Sequence, residues 1–486
     1  MVEPPAQDGP GTAPPDPGAA PVLLAWGQRR AWWVLAATVL GSALTFIDTT
    51  VVSIALPSVD ADLGAGSTGL TWVVNGYTLT LAALVLLGGS LGDRYGRRRI
   101  FLIGVCCFAG ASALCGLAPD VTVLVAARAV QGVGGALLVP TALAILQSSF
   151  APGHRARAIG AWSGLTGVAS AVGPFAGGWL VQTASWRWVF LVNLPVALAV
   201  ALIARRHVPE SRNPAACPQL DVPGAVLLVA GLGSLTLGLT AAAGDDPSVP
   251  GAGGALGAGA VLLAVFLAWE RRAVSPLLPP ALLGQRLFVA ANVITFLVYA
   301  GLGAVFFVLV VALQVGSGFS PVAAGLSLLP VTVLMLLLSP SAGALVHRVG
   351  PRPPMTAGPL IAALGVLLLG RVGPGAHYLL EVLVPAAVFG AGLTLLVAPL
   401  TATVLGALPT EQAGLASGVN NAVARTAGLL AVAAIPLVGG LGETGLTDPA
   451  RVREGFPVVM GVCAGLLTAG GLLSAVVLRP TARDHP

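Results

Sequence analysis

Apolar stretches of about 20 residues recur along the whole chain, and a polypeptide patterned this way has little choice but to bury them in a lipid bilayer. Fourteen of them fall near residues 31–57, 70–91, 99–118, 121–143, 158–181, 188–205, 222–241, 252–269, 287–313, 321–343, 355–371, 378–400, 413–440 and 456–478. In hydrocarbon a backbone must satisfy its own N–H and C=O groups, so each stretch is expected to be an α-helix. Composition agrees. Mean hydropathy is +0.91, and of 486 residues 56% are apolar and 9% charged. The expected fold class is an all-α integral membrane protein with about 14 transmembrane helices. Residues 1–30 are rich in Pro, Gly and Ala and lack an apolar core, so they are expected to form a disordered cytoplasmic tail and not a cleaved leader, leaving the first span as the insertion signal.

Five charges are packed into residues 93–99, inside Gly-Gly-Ser-Leu-Gly-Asp-Arg-Tyr-Gly-Arg-Arg-Arg (88–99), between two apolar runs. Such a turn must stay at one face of the bilayer. The chain has no lysine, so all 24 basic residues are arginine. With the N-terminus inside, eighteen arginines fall on inside loops and tails, four (Arg187, Arg371, Arg451, Arg453) on outside loops, and two (Arg128, Arg425) within spans. This loop-by-loop alternation places both termini in the cytoplasm and the protein in the cytoplasmic (inner) membrane. The net charge of +5 then reflects topology and contact with the lipid bilayer, with no nucleic acid as partner.

The missing lysine also excludes chemistries. A phosphate-binding Walker loop needs its Lys, as does a retinal Schiff base. The five histidines lie in loops or at span ends without metal-ligand spacing, so neither a metal nor another cofactor is expected. Cys106, Cys107, Cys115 and Cys463 lie in apolar helices and Cys217 in a loop, without a disulfide framework. No Ser/His/Asp or Cys/His spacing suggests an enzyme.

A weak internal repeat is present. Gly89-Ser-Leu-Gly-Asp-Arg-Tyr-Gly96 and Gly343-Ala-Leu-Val-His-Arg-Val-Gly350 both read G-x-L-x-x-R-x-G, each after a span that runs inward. Two homologous six-helix bundles, 31–205 and 276–480, would account for it, with two extra helices in a linker at 206–275 and a cytoplasmic tail at 481–486. Paired halves around a central cavity are a common plan for secondary transporters.

Several motifs together make the resemblance specific. The chain resembles the major facilitator superfamily over roughly 31–480, in particular its fourteen-span drug:proton antiporter branch. Gly89 to Arg97 is similar to the family loop motif after span two. Leu124, Arg128, Gln131, Gly132 and Gly134-Gly135-Ala136 resemble its span-four motif. Gly160, Gly173-Pro174 and Gly177-Gly178 resemble the antiporter motif of span five. Phe46-Ile-Asp48 through Pro57 resembles the span-one motif of the fourteen-span branch, and Ser185 through Pro195 the run entering span six. There are departures. Ala169 replaces a motif glycine, Ser53 stands where Asn is usual, and His347 replaces the carboxylate of the second turn. Span ten carries no acid, which disfavours a dicationic substrate.

Asp48 interrupts an apolar helix, where a carboxylate costs on the order of 2.5–3.5 kcal/mol. Arg128 enters at a similar depth from the outer end of span four, so the two are expected to form a switchable proton-coupling pair. The alternative is a permanent ion pair that locks two helices. Asp93, Arg94, Gly96 and Arg97, with Gly89, are expected to latch the cytoplasmic helix ends in one access state. Gly160, Gly173, Gly177 and Gly178 are expected to admit close helix neighbours, and Pro174 to bend its helix. Cavity candidates are Trp72, Asn75, Tyr77, Gln131, Trp162, Asn292, Tyr299, Gln314, Asn420, Asn421 and Arg425. For Arg425 a structural role is favoured over substrate contact. The resemblance implies export of a small lipophilic compound against inward protons by alternating access, by a chain acting as a monomer. The alternatives are proton-coupled exchange of a metabolite such as an amino acid or siderophore, or a receptor without transport.

Overall fold

The structure is a computed structural model that describes residues 23–213, 219–243, 251–408, 412–442 and 445–478. Among these residues are fourteen helices long and apolar enough to cross a membrane. They are α1 Arg29–Leu63, α2 Gly66–Tyr95, α3 Arg97–Gly116, α4 Val121–Ser149 and α5 Pro152–Thr183. The sixth, α6, runs as Trp188–Leu191 and Asn193–His207, followed by α7 Val222–Ala241 and α8 Gly251–Glu270. The ninth, α9, spans Arg286–Val311 and passes into a π-helical turn, Ala312–Gly316. The tenth, α10, is broken into Pro321–Leu326 and Leu329–Val349. Then come α11 Arg352–Leu369, α12 Val384–Gly406 after a π-helical turn at Tyr378–Leu383, α13 Ala413–Val438 and α14 Pro449–Val477.

Local chemistry sets the ends where apolar content alone does not. α1 continues past Pro57, where its apolar stretch stops, and ends only at Gly64, whose left-handed φ of +62° breaks the helix. α14 begins at Pro449, seven residues before the expected 456, because Asp448 Oδ1 accepts from the Ala450 amide at 2.8 Å and proline fits a first helical turn. Asp120 Oδ1 caps α4 through the Val123 amide at 2.9 Å. The tail expected over 1–30 is corrected at its C-terminal end. Leu24 exchanges backbone hydrogen bonds with Ser149 and Ala151, and Trp26 packs edge-on against Trp32 with their ring centroids 5.0 Å apart. Residues 1–22, Cys217 and the tail at 479–486 lie outside the described residues.

α1 to α6 pack mainly on one another, as do α9 to α14, while α7 and α8 pair together and α7 rests on α2 and α13. Glycines bring backbones into contact in both groups. A Cβ on Gly134 of α4 would crowd the Phe108 backbone of α3, and one on Gly392 of α12 would overlap the Ala362 amide of α11. The repeat is visible in the backbone too, because Gly96 (φ +109°) and Gly350 (φ +77°) hold the same place in the two turns.

Polar contacts join the two groups at the end opposite the arginine-rich turns. Gln314 Nε2 donates to the Ile54 carbonyl at 3.1 Å, and the Leu446 amide donates to Ser67 Oγ at 2.9 Å. At the same end Gly178 sits against Pro321, and Gly325 against the Pro174 carbonyl.

Candidate functional site

Asp48 lies in α1, and its carboxylate is met by α4. Arg128 Nη1 donates to Asp48 Oδ2 at 2.5 Å and to Gln131 Oε1 at 2.6 Å. Gln131 Nε2 donates to Asp48 Oδ1 at 2.8 Å, so each carboxylate oxygen has its own donor. Arg128 Nε donates to the Val73 carbonyl of α2 at 3.1 Å, and the guanidinium lies 4.3 Å from the Tyr77 ring centroid. Asp48 and Arg128 are each 1% exposed and Gln131 is fully buried. The spacing of three between Arg128 and Gln131 puts both on one face of α4, a turn apart, so one carboxylate can take a donor from each.

The pairing expected from depth is therefore present, although the depth itself is corrected. Asp48 lies fifteen residues from the outer end of α1, and not the nine that an end at Pro57 would give, because α1 runs on to Leu63. Sequence reasoning did not find how far the network reaches. Gln131 Nε2 also donates to Ser112 Oγ of α3 at 2.9 Å, and Asn193 Nδ2 of α6 reaches the same hydroxyl at 3.4 Å. Cys115 Sγ lies 3.7 Å from Gln131 Oε1. One small serine in an apolar helix gave no signal. Asn193 did stand in a family-like motif, and that was the available clue.

A buried ion pair is a weak source of stability, since desolvation offsets much of its attraction, but losing one partner leaves a costly unpaired charge. Chemically, Asp48 is a carboxylate that can accept a proton, and Arg128 is a cation whose remaining partners, the Gln131 and Val73 oxygens, do not depend on that charge. The network links α1, α2, α3, α4 and α6, so a change at Asp48 reaches five of the six helices of the first bundle.

The arginine-rich turn is tied to its own half. Arg97 Nη2 donates to Asp93 Oδ1 at 2.7 Å, and the Asn213 amide donates to the Asp93 carbonyl at 3.0 Å. Glu210 accepts from the Arg98 and Arg99 amides at 3.1 and 3.2 Å. Arg94 lies over Tyr95, 5.0 Å from its centroid. Gly89 faces Pro140, and Gly96 leaves room for Glu210. The expected latch partners in this structure are thus the segment after α6. The side chain of His347, in the second turn, lies outside the described residues.

The antiporter motif splits along α5. Gly173 packs on Thr50 and Ile47 of α1, Gly177 on Val51, and Gly178 on Pro321 and Val322 of α10. Gly160, expected to admit a neighbour, has nothing within 4 Å, and neither have Gly164 and Gly167. These three glycines share one open face of α5, at spacings of four and three, while Ala158 and Trp162 on the same half of the helix pack into the first bundle.

The cavity candidates do not converge on one wall. Gln131 and Tyr77 belong to the Asp48 network, and Tyr77 Oη donates to the Thr45 carbonyl at 3.4 Å. Asn75 is fully buried with both amide atoms unpartnered, and Trp72 nearby on α2 is half-buried. Trp162 Nε1 donates to Ser42 Oγ at 3.1 Å, which joins α5 to α1. Asn420 Nδ2 donates to Asn292 Oδ1 at 3.2 Å and Thr295 Oγ1 at 2.7 Å, which joins α13 to α9. Gln314 bridges the two halves. Only Asn421, Arg425 and Tyr299 gather elsewhere. Arg425 Nε donates to Asn421 Oδ1 at 3.0 Å.

The fold and motifs match one sequence family. The profile of the Major Facilitator Superfamily fits residues 38–433, and the chain belongs to that superfamily of membrane transporters, in a fourteen-span form. It is 36% identical over 482 residues to the puromycin resistance protein pur8 of Streptomyces alboniger, covering 96% of this chain and 95% of that one. It is 37% identical over 452 residues to the cephamycin export protein CmcT of Amycolatopsis lactamdurans, covering 91% of each. Among solved structures it shares a fold with a peptide transporter POT in complex with sulfate, with a TM-score of 0.70 at 13% identity over 94% of this chain and 96% of that one. A D-xylose-proton symporter gives a TM-score of 0.65 at 16% identity, covering 93% and 98%.

Proposed function

We propose that this protein is a proton-driven antiporter that exports a lipophilic, drug-like compound or antibiotic across the cytoplasmic membrane by alternating access, acting as a monomer with both termini in the cytoplasm. The observation that carries the reading is the Asp48 carboxylate, buried in mid-membrane and held by one charged and one neutral donor. Relatives named for puromycin resistance and cephamycin export support the substrate class. Closure of the two halves at the end away from the arginine-rich turns supports a cavity that opens toward the cytoplasm in this state.

Protonation of Asp48 removes the charge that holds Arg128. Arg128 keeps Gln131 Oε1 and the Val73 carbonyl, while Gln131 Nε2 keeps its bond to Ser112 Oγ. The first bundle then repacks from its centre, and rocking transmits this to the Pro174–Gly325 contact between α5 and α10. Deprotonation on the other side restores the pair.

The test uses everted vesicles that contain the full chain. Adding a lipophilic dye should release protons, and an uncoupler should abolish dye uptake. Asp48→Asn should retain dye binding and lose proton release. An Asp48→Asn protein that exchanges dye for protons at the wild-type rate would overturn the coupling role.

A further inference from the structure

Arg128 shows how this fold treats a cation it neutralises: sealed to 1% exposure and given a carboxylate. Arg425 is treated differently. It lies at the middle of the 26-residue α13, so either membrane face is roughly 18 Å away along the helix, too far for the side chain to reach. Among the described residues it has no ion-pair partner. Its Nε is satisfied by Asn421, and its terminal nitrogens are not among the buried orphaned atoms, in keeping with a residue that is only half-buried.

Its surroundings are fixed by its neighbours on α13. Seven residues before it, Gly418 faces Leu86 of α2, and one turn after it Leu429 packs with Ala83 of α2 and Leu232 of α7. Asn420 bonds to α9, and Gly428 abuts Gly303 of α9. Arg425 therefore occupies the seam between α2 and α9, where the two halves of the protein meet. Tyr77 of α2 and Tyr299 of α9 lie near the middle of their own helices; Tyr77 is sealed against Arg128, whereas Tyr299 is half-buried. The helices packed on α13 carry acids only at their ends. Asp93 is already paired with Arg97, Glu381 accepts from the His377 amide, and Glu454 lies in the second turn of α14.

We propose that Arg425, with the Asn421 amide and the Tyr299 ring, forms a subsite for the acidic group of the transported compound, a carboxylate or phenolate on an aromatic or lipophilic body. A guanidinium with free donors in a low-dielectric seam binds such a group by charge-assisted hydrogen bonds. The half-buried Tyr299 ring supplies flat apolar area beside it. This rests on the export reading and deepens it by naming the charge of the cargo, and it reverses the sequence-based preference for a purely structural Arg425.

The test compares the anion carboxyfluorescein with the neutral dye Nile red, using wild type, Arg425→Gln and Arg425→Lys. Binding is read on the purified full chain by fluorescence anisotropy, and transport in everted vesicles. Wild type should bind and move carboxyfluorescein. Arg425→Gln should weaken anion binding tenfold or more while Nile red binding changes less than twofold, and Arg425→Lys should recover most of the loss. Nile red binding also reports whether each variant is folded. Equal loss of both dyes in Arg425→Gln, or a wild type that binds Nile red but not carboxyfluorescein, overturns the subsite. Charge-dependent binding without any vesicle transport would leave the subsite standing and remove the export reading instead.

Discussion

Replacing Asp48 by Asn changes one oxygen to an NH2 group, and the neighbouring donors determine the cost. Asn Oδ1 can still accept from Arg128, but Nδ2 would face the Gln131 Nε2 donor that now meets Asp48 Oδ1 at 2.8 Å. Turning the Gln131 amide over relieves that conflict only by placing its NH2 against Arg128 Nη1, now 2.6 Å from Oε1. Either way a hydrogen bond is lost and a guanidinium 1% exposed loses its counter-charge. Breaking a buried pair from one side costs about 3–5 kcal/mol. With an unfolding entropy of about 2.1 cal/mol/K per residue, a chain this long melts roughly 1 °C lower per kcal/mol, so Asp48→Asn should lower the melting temperature by about 3–5 °C. Arg128→Gln should cost less, about 1–3 kcal/mol, because the remaining carboxyl can take a proton in place of the lost cation. The double variant sets amide against amide and should recover at least about 2 kcal/mol relative to the sum of the single changes. Intrinsic fluorescence melting in detergent, read from the nine tryptophans, measures all four proteins. A double variant as unstable as the two losses added together would show that the residues are not energetically coupled, and would refute the pairing.

Three further expectations concern the glycines. Gly88→Val should drop the melting temperature by an amount equivalent to about 1–3 kcal/mol, because any Cβ at Gly88 overlaps the Ala136 carbonyl across the α2–α4 contact. Gly164→Ala, with open space around it, should instead be neutral or stabilising by up to about 1 kcal/mol; a large loss would show that this part of α5 is packed after all. Gly96→Ala should cost about 1–3 kcal/mol through its φ of +109° and its contact with Glu210, whereas Glu210→Ala, at a partly exposed site, should cost under about 1 kcal/mol in the same melting assay. Similar losses from both would mean that the carboxylate, and not the backbone, carries the turn.

The partners Asp48 and Arg128 were legible because charge is so expensive in hydrocarbon that two charges at similar depth in one bundle have strong reason to meet. Gln131 was visible as a motif residue and a cavity candidate, and nothing in the sequence showed how differently from Gln314 it would be used, although Gln314 ties the two halves together at the far end. The polar residues grouped as one cavity wall failed as a group because helix periodicity does not fix which neighbour a face will meet. Asn420 spends its amide on α9, and Trp162 spends its indole on α1. Along α5, the glycine spacing marked a packing helix but could not say which of its glycines would meet a neighbour and which would lie on an open face.

The sequence by itself determined the fourteen helices, the alternation of arginine between the two sides and the charges that had to be explained, since lipid forces every span to satisfy its own backbone and makes each buried charge conspicuous. Only the tertiary structure decided how those charges were treated: Asp48 and Arg128 were sealed together within one bundle, while Arg425 was left between bundles without an acid among the described residues. Hydropathy acts along the chain and can be read one residue at a time. A partner for a side chain is a property of rotation and register between helices, and these are set by contacts far apart in sequence.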